Sequence, residues 1–327
     1  MFKAILVSNQ DGHYQADLVN LEQDRLPEGD VLVEVKYSGL NYKDALAVTG
    51  KGKIIRQFPL IPGVDFSGRV LDPGASDYAI GDQVVLTGWD VGVSHSGGFS
   101  QRARVPSEWL VPLPDGLTLK QAMALGTAGF TAMLSILELE EAGVTPDSGT
   151  VVVTGASGGV GSIAIALLSS LGYQVAAVTG RASNHDYLTR LGAQQILDRA
   201  EMEAPCRPLE KQRWAGAIDT VGGPILSRLL AETQEPGAVA CCGLAASHEL
   251  SSTVMPFILR GIRLIGIESV RQPKARRLQI WNRLAAALPL QLLDSLIEVI
   301  DLESVADSSE KLIDGQVTGR IVIDLDR

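Results

Sequence analysis

The chain has few cysteines, few histidines and no excess of positive charge. Its three cysteines, Cys206, Cys241 and Cys242, cannot form a framework of disulfides, and the adjacent pair lies in an apolar segment typical of a packed core. The formal net charge of -10 disfavours general binding to nucleic acid or to an anionic membrane. No apolar run reaches the length of a membrane span, about 18 residues, and the N-terminus lacks a signal-peptide core of usual length. We therefore expect a cytoplasmic protein with no nucleic-acid or membrane partner.

The residues that are abundant indicate a folded α/β protein. The chain has 327 residues, of which 46% are hydrophobic, and 34 glycines, so it is long enough for two cores. Up to about residue 120, apolar Val31, Val33 and Val35 alternate with polar Glu34 and Lys36, which predicts mainly antiparallel β structure. Beyond that point strands and helices alternate, which is typical of a doubly wound parallel sheet. The predicted parallel strands are 150–154, 174–179, 194–197, 215–219, 237–242 and 262–268.

This change of pattern predicts how the chain is divided. We expect a β domain to begin in residues 1–121 and a nucleotide-binding domain to occupy residues 122–270. The last stretch, 271–327, contains a predicted amphipathic helix near 275–287 and a closing strand over 320–325. We expect this last stretch to rejoin the first domain.

A strand, glycine turn, helix and second strand within residues 150–181 predict a dinucleotide site. Gly155, Gly158, Gly159 and Gly161 follow an apolar, β-branched run and precede a helix of small residues. Glycine lets the backbone turn tightly and approach a pyrophosphate, whose charge then lies at the helix N-terminus. The residues predicted to bind the diphosphate are Ser157, Gly158, Gly159 and Val160.

The end of the second strand indicates which dinucleotide binds. An NAD site normally has Asp or Glu about 20 residues after the glycine turn, where it binds the ribose 2′-hydroxyl. Here Thr179, Gly180 and Arg181 stand in its place, and arginine binds phosphate bidentately with a charge that persists at neutral pH. The sequence therefore predicts NADPH as the cofactor, with Arg199 after the third strand as a second cation. The alternative for Arg181 is a solvated surface side chain.

Several longer motifs carry a resemblance to a known family. They are RLPEGDV (25–31), SGLNYKDALAVTGKGKIIRQFPLIPGVDFSG (38–68), VVLTGW (84–89), GTAGFTAM (126–133), VVVTGASGGVGS (151–162), WAGAIDTVG (214–222), CGLA (242–245) and TVMPFILRGIRL (253–264). On these residues the chain resembles the medium-chain dehydrogenase/reductase superfamily, and within it the acrylyl-CoA reductase group of the zinc-free, quinone-oxidoreductase-like branch. The resemblance runs nearly end to end. It implies a GroES-like β domain, a Rossmann domain that follows it, and a C-terminal return to the β domain.

The zinc-dependent members of this superfamily differ from the chain at their ligand positions. They have a cysteine where this chain has Asn41, and a histidine in the turn where this chain has Gly63, Val64 and Asp65. The four histidines, His13, His95, His185 and His248, are scattered without ligand spacing. We therefore expect no metal. Without a Lewis acid, hydrogen bonds alone must polarise the hydride acceptor, which favours a C=C conjugated to a carbonyl, or a quinone, over an unactivated alcohol.

The loop from Ser38 to Asp44 is the predicted reaction site. The phenolic O–H of Tyr42 can bond the nicotinamide ribose or carboxamide, or it can deliver a proton after hydride transfer. The resemblance implies that this tyrosine lies at the cofactor; the alternative is a half-buried aromatic that contacts nothing reactive. Asn41 and Asp44 complete the candidate catalytic loop by ordering it. We interpret Asp44 as structural, because a carboxylate beside a developing enolate opposes catalysis.

Three further residues are predicted to bind the nicotinamide half of the cofactor. Ligands of doubly wound sheets bind at the carboxyl ends of the strands, and Leu244 follows the fifth predicted strand while Ser269 ends the sixth. The resemblance adds Ile258 in the motif MPFILRG. Core packing is the alternative for Leu244 and Ile258, and solvation is the alternative for Arg199.

Lys51, Lys53 and Arg56 form a local cationic cluster beside the Tyr42 loop. These side chains can bind the phosphates of coenzyme A, or they can simply be solvated.

The leading functional hypothesis is NADPH-dependent reduction of a 2-enoyl-CoA, acrylyl-CoA to propionyl-CoA. The alternatives are quinone reduction on the same fold and a non-enzymatic NADPH-binding protein. The resemblance also implies a homodimer paired through the edge strand near 262–268.

Overall fold

The structure is a computed structural model, and it describes residues 1–10 and 12–327. The chain forms two compact units. The first unit consists of Met1–Phe130, Ser269–Ala285 and Leu290–Arg327, and the second consists of Thr131–Glu268 and Ala286–Pro289. The first unit is thus built from both ends of the chain and the second from its middle.

The period-two pattern of the first unit forms antiparallel strands. Val31, Val33 and Val35 point into the core, whereas Glu34 and Lys36 are partly exposed. The strands are β1 (Phe2–Gln10), β2 (His13–Leu21), β3 (Val31–Leu40), β4 (Asp65–Asp72), β5 (Gln83–Thr87), β6 (Arg102–Val105), β7 (Val111–Pro112), β14 (Ile297–Ile300) and β15 (Arg320–Asp324). β1 and β2 form a separate hairpin, and the others form a sheet in the order β14-β15-β3-β4-β5-β7 with β6 also paired to β3. Every pair in this sheet is antiparallel except β14 with β15.

The apolar runs of the second unit form one parallel sheet. Its strands are β8 (Thr150–Val153), β9 (Gln174–Thr179), β10 (Gln195–Asp198), β11 (Trp214–Asp219), β12 (Thr233–Cys241) and β13 (Arg263–Gly266). Their spatial order, β10-β9-β8-β11-β12-β13, is that of a dinucleotide-binding doubly wound sheet. The predicted fold class, a mainly antiparallel β domain with a doubly wound parallel sheet, is therefore confirmed.

Helices connect and cover these sheets. They are α1 (Tyr42–Thr49), α2 (Leu119–Glu141), α3 (Gly159–Ser170), α4 (His185–Arg190), α5 (Arg199–Glu203), α6 (Gly223–Glu232), α7 (Met255–Arg260), α8 (Lys274–Ala287), α9 (Leu290–Asp294) and α10 (Val305–Ile313). A short 3-10 turn, Ala182–Asn184, precedes α4. The helix predicted near 275–287 and the closing strand at the C-terminus are confirmed as α8 and β15.

Helix α2 corrects one expectation from the sequence. It is long and apolar enough to cross a membrane by length and composition, but 89% of its most apolar window is buried within the protein. The expectation considered only continuous apolar runs and so missed this helix, in which alanine and large apolar side chains give a high mean hydropathy although glycine, threonine and serine interrupt the run. Gly126 has φ 50° and ψ -150°, which breaks the helix into two parts. α2 is a core helix.

Strand β13 corrects a second expectation. It ends at Gly266, so Ser269 does not end the strand as predicted but follows it by three residues and belongs to the first unit. The neighbouring strand β12 stops at Cys241, whose carbonyl oxygen accepts the last bond, from the N–H of Ile267 at 2.9 Å. Because β12 ends there, it offers β13 no further residue to pair with after Ile267.

Candidate functional sites in the two units

The predicted diphosphate turn joins β8 to α3. Gly155 has φ 55°, and a Cβ at this position would overlap Thr220 Oγ1. A Cβ on Gly161 would overlap the carbonyl oxygen of Gly155, so the first turn of α3 packs directly on the loop. Gly158 is the N-cap of α3 and places no side chain over the N-terminal N–H groups of the helix. The turn therefore has the close backbone approach that a diphosphate needs.

A buried carboxyl group links this turn to the neighbouring strand, and the sequence analysis did not identify it. Asp219, at the end of β11, is 0% exposed and accepts hydrogen bonds from Thr154 Oγ1 at 2.7 Å and from the N–H of Gly222 at 2.8 Å. Thr154 Oγ1 also accepts a hydrogen bond from the N–H of Thr220 at 2.9 Å. Burial raises the pKa of Asp219. The ends of β8 and β11 are thus held together beneath the glycine turn.

Arg181 lies beside the turn and is not a solvated surface side chain. Its Nη2 donates to Ser157 Oγ at 3.1 Å, and its backbone N–H donates to Thr179 Oγ1 at 3.2 Å. Three predicted cofactor residues are therefore joined by hydrogen bonds. A fourth residue, Asn184, is 6% exposed in the same cluster and was not predicted. Asparagine is a common turn residue, so the local sequence does not mark Asn184 as part of a binding site.

Arg199 approaches the same place from the next strand. A Cβ on Gly180 would lie 3.0 Å from Arg199 Nε, so the guanidinium lies directly over the glycine. Arg199 is the first residue of α5, and its side chain is 61% exposed and paired with Glu203 at 3.6 Å. Arg199 thus lies over the residue that precedes Arg181 in the chain, at the end of β9. That the two cations bind a phosphate stays a prediction.

The three residues predicted to bind the nicotinamide half of the cofactor are Leu244, Ile258 and Ser269, and they lie in separate elements. Leu244, in the segment after β12, is 65% exposed, and Ile258, on α7, is 71% exposed. Neither is a core residue, which was the alternative considered for both. Ser269 lies in the first unit, where its carbonyl oxygen accepts a hydrogen bond from Arg277 Nη2 at 3.5 Å. Its predicted role at the cofactor rested on a strand end that the structure places elsewhere.

In the first unit, the Tyr42 loop begins a short helix. Asn41 is the N-cap of α1, and Asp44 at the third helical position accepts a hydrogen bond from the Asn41 N–H at 3.0 Å. This is the reciprocal half of a capping box, which satisfies a backbone donor at a helix start. Asp44 also accepts from the N–H of Val64 at 2.8 Å, so it ties α1 to the turn before β4. Tyr42, the first residue of α1, keeps 46% of its surface exposed.

Two buried charged residues that the sequence analysis did not predict as site residues complete this site. Asp65 is 0% exposed and accepts from the N–H of Gly39 at 2.9 Å, from Asn41 Nδ2 at 3.0 Å and from the N–H of Thr127 at 2.7 Å. Arg320, the first residue of β15, donates to Asn41 Oδ1 at 3.0 Å and to the carbonyl oxygen of Ala124. Asn41 therefore stands between a carboxylate and a guanidinium, with its oxygen and its nitrogen both used.

The backbone has to be glycine where it passes this network. A Cβ on Gly126 would lie 2.6 Å from Asp65 Oδ2, and a Cβ on Gly39 would lie 2.8 Å from both Asp65 Oδ1 and Arg320 Nη2. Burial lowers the pKa of Arg320, although the carboxylates of Asp65 and Asp44 act in the opposite direction. Burial and the adjacent Asp65 carboxylate raise the pKa of Asp44 to about 7, while its N–H partners lower it.

The predicted cationic cluster is spread along an exposed loop. Lys51, Lys53 and Arg56 are all exposed, and the backbone N–H of Arg56 is bonded to the carbonyl oxygen of Val93 at 3.1 Å. Lys51 is paired at short distance with Glu310 on α10. Part of the positive charge of the cluster is therefore balanced.

The described residues, 1–10 and 12–327, include no group of three or more His, Cys, Asp or Glu side chains that could hold a metal ion. Asn41 lies where the zinc-dependent members have a cysteine, and Asp65 is the last residue of the turn in which they have a histidine. Both take part in the hydrogen-bond network around Arg320.

Both parts of the chain match families of known proteins. Residues 27–115 match the family model described as Alcohol dehydrogenase GroES-like domain, and residues 159–284 match the one described as Zinc-binding dehydrogenase. The chain is 49% identical over 328 residues to Acrylyl-CoA reductase AcuI of Ruegeria pomeroyi, with 99% of each chain covered.

Solved structures of similar proteins match the chain over nearly its full length. The crystal structure of the yhdH oxidoreductase from Salmonella enterica in complex with NADP has a TM-score of 0.97 and 53% identity, over 98% of this chain and 99% of that one. The crystal structure of Bacillus subtilis protein yhfP with NAD bound has a TM-score of 0.95 and 41% identity, over 99% of each chain. The chain therefore belongs to the medium-chain dehydrogenase/reductase superfamily, in its quinone-oxidoreductase-like branch.

Proposed function

We propose that the protein reduces the activated C=C bond of a short 2-enoyl-CoA with NADPH, converting acrylyl-CoA to propionyl-CoA. The observation that carries this proposal is the 49% identity, across 99% of both chains, to a protein named acrylyl-CoA reductase. The activity is that of an oxidoreductase acting on a CH–CH bond. The first unit is proposed as the catalytic domain and the second as the NADPH-binding domain.

The residues of the second unit fit NADPH. The glycine turn from Ser157 to Val160 supplies a close backbone approach for the diphosphate, and Arg181 and Arg199 supply two cations for the 2′-phosphate. Similar proteins have been crystallised with NADP and with NAD, so membership of the family does not decide between the two. The preference for NADPH is supported by the guanidinium of Arg181, which stands where an NAD site has an acid. Thr179 and Gly180 complete this subsite.

In the first unit we propose that Tyr42 is the proton donor and a cofactor contact. Bound NADPH supplies the hydride that reaches the β-carbon of the enoyl-CoA. The hydroxyl of Tyr42 gives its proton to the α-carbon, the C=C π bond is lost, and solvent returns a proton to the phenolate because the side chain is 46% exposed. Asn41 and Asp44 hold α1, and with it Tyr42, by capping the helix.

Asp44 is proposed to position this loop and not to exchange protons with the substrate. It is 0% exposed, and its two oxygens accept hydrogen bonds from Asn41 and Val64. A pKa raised to about 7 also leaves this carboxyl partly protonated at neutral pH, which reduces the negative charge beside a developing enolate.

Lys51, Lys53 and Arg56 are proposed to contact the phosphates of coenzyme A. Their exposure supports this role, because flexible cations on a surface can follow a charged, extended ligand. The pairing of Lys51 with Glu310 reduces its contribution, so Lys53 and Arg56 are expected to contribute more.

We also propose that the protein is a cytoplasmic homodimer, paired through the second unit. β13 is the edge strand of the six-stranded sheet, and an exposed edge can pair with its copy across a two-fold axis. Large apolar side chains are exposed in the segment before this strand: Leu244, Leu250, Val254, Met255, Ile258 and Leu259. A surface of this kind supports an interface. Leu244 and Ile258 remain proposed contacts of the nicotinamide half, and their exposure leaves both side chains accessible to a ligand. Ser269, three residues after the end of β13, remains a proposed contact as well.

The decisive experiment measures NADPH oxidation with acrylyl-CoA and with a panel of small quinones. We expect turnover of acrylyl-CoA, and Tyr42→Phe is expected to lower kcat by about 100-fold through loss of the proton donor. Lys43→Ala, which changes the exposed neighbour of Tyr42, is the matched control. Turnover of quinones without turnover of any acyl-CoA contradicts the proposal, and binding of NADPH without turnover of any acceptor indicates a non-enzymatic protein.

A further inference from the structure

Asn184 is a buried polar residue in the second unit without a part in the function proposed so far. It is the last residue of the 3-10 turn Ala182–Asn184 and the N-cap of α4, but its side chain makes no capping hydrogen bond. It is 6% exposed, whereas Ser183 beside it in the turn is exposed. A buried carboxamide needs hydrogen-bond partners, and those partners define its role.

The partners of Asn184 are two residues of the proposed NADPH site. The amide orientation that satisfies the hydrogen-bond network points the carboxamide oxygen at Arg181, where it accepts from Nε at 3.0 Å and from Nη2 at 3.2 Å. The same oxygen accepts from Ser157 Oγ at 3.0 Å. Because Arg181 Nη2 also donates to Ser157 Oγ at 3.1 Å, the three side chains form a closed cluster. Two donors of one guanidinium on one oxygen fix the plane in which that guanidinium lies.

The charge of the group that accepts hydrogen bonds from Arg181 affects how well the guanidinium can bind a phosphate. A carboxamide oxygen is neutral, so it holds a guanidinium without cancelling its charge, whereas a carboxylate would form an ion pair and compete with a phosphate. The neighbouring Arg199 shows the second arrangement, since it is paired with Glu203 at 3.6 Å. By contrast, Asn184 and Ser157, which accept hydrogen bonds from the Arg181 guanidinium, are both buried and neutral.

We propose that Asn184 is a positioning residue that determines the preference for NADPH, because it orients the Arg181 guanidinium toward the 2′-phosphate and leaves its positive charge intact. This inference rests on the proposed function and deepens it. It assigns the selectivity to a cluster of Ser157, Arg181 and Asn184, not to Arg181 alone. NADH lacks the 2′-phosphate, so its binding does not depend on this orientation.

The test measures the dissociation constants of NADPH and NADH by quenching of protein fluorescence, without any acceptor substrate. Asn184→Ala is expected to weaken NADPH by about 10-fold, the effect of losing one well-placed charged hydrogen bond, and to change NADH by less than about 2-fold. Asn184→Asp keeps the shape and the acceptor but adds a negative charge, so it is expected to weaken NADPH at least as much. Ser183→Ala, in the same turn, is the matched control and is expected to leave both constants unchanged.

A double mutant separates the action of Asn184 through Arg181 from any other action. In the Arg181→Ala protein, Asn184→Ala is expected to have no further effect on the ratio of the two dissociation constants. A purely structural role for Asn184 would weaken NADPH and NADH equally, or lower the melting temperature without changing the ratio, and would overturn the inference. If Asn184→Ala does not fold, the nearly isosteric Asn184→Asp gives the same comparison, and an unchanged ratio in that variant also overturns it.

The failure of this inference is distinguishable from the failure of the proposed function. A parent protein that binds NADPH and NADH equally contradicts the cofactor assignment itself. A parent that prefers NADPH, together with Asn184 variants that keep the full preference, leaves the cofactor assignment intact and contradicts only the role of Asn184.

Discussion

The buried carboxyl group of Asp44 makes the stability of the first unit depend on pH in a direction that can be worked out. Burial, followed by the adjacent Asp65 carboxylate, raises its pKa from 3.8 to about 7. A carboxyl group whose pKa is raised on folding binds a proton more tightly in the folded chain than in the unfolded chain. The stabilisation of the folded chain by this tighter proton binding is therefore complete below about pH 4, and it is lost as the pH rises through 7.

The difference between a pKa of 3.8 and one of about 7 corresponds to about 4 kcal/mol. Asp44→Asn removes the titrating group and keeps one acceptor oxygen, so the contribution of the substituted side chain does not change with pH. We expect the free energy of unfolding of the parent, relative to that of Asp44→Asn, to fall by about 4 kcal/mol between pH 4 and pH 8. Ionisable groups that do not interact with Asp44 are common to both proteins and cancel in the difference.

Urea unfolding followed by tryptophan fluorescence measures this difference in the right part of the molecule. Trp89, Trp109 and Trp281 lie in the first unit and Trp214 lies in the second, so a Trp214→Phe background confines the signal to the first unit. Asp115→Asn, which changes an exposed aspartate of the same unit, is the matched control. A free-energy difference between parent and Asp44→Asn that stays constant from pH 4 to pH 8 would refute the reasoning.

Three further predictions concern the ligands and the assembly. Arg181→Ala is expected to raise the KM for NADPH by about 10- to 100-fold, because a charged contact to the 2′-phosphate is lost, with little change for NADH; steady-state kinetics with both cofactors checks this, and equal changes contradict it. Replacing Lys51, Lys53 and Arg56 together by Ala is expected to raise the KM for acrylyl-CoA but not for a quinone, whereas an unchanged KM means that the loop is merely solvated. Val254→Glu with Leu259→Glu is expected to convert the dimer to a monomer in analytical ultracentrifugation, and a parent that is already monomeric removes the basis of the proposed interface.

The sheet of the second unit was predictable because buried parallel strands appear in a sequence as uninterrupted apolar runs. Val151, Val152 and Val153 are all 0% exposed in β8, and the glycine turn after them marks the strand end. The end of β13 was not predictable in this way. It depends on where its neighbour β12 stops, at Cys241, and such pairing is decided by residues far away in the sequence.

The Tyr42 loop was predictable as a segment, but the network that holds it was not. Asn41 and Arg320 are 279 residues apart, and no local pattern links them. One signal was nevertheless available. Asp65 and Arg320 are charged residues at the first positions of two strands, β4 and β15, and each is followed directly by a buried apolar residue, Phe66 and Ile321. Buried charges require partners, so two such residues of opposite sign in one β domain could have been proposed as a pair.

The two candidate sites use an asparagine for the same physical reason. Asn41 donates to the carboxylates of Asp44 and Asp65 and accepts from Arg320, so it joins groups of opposite charge without adding any charge itself. Asn184 accepts from Arg181 and likewise adds none. A carboxylate in place of Asn41 would add negative charge beside Tyr42 and oppose a developing enolate, and one in place of Asn184 would compete with the 2′-phosphate. In both places a neutral amide therefore supplies the geometry while the net charge stays at the value that the proposed reaction and cofactor require.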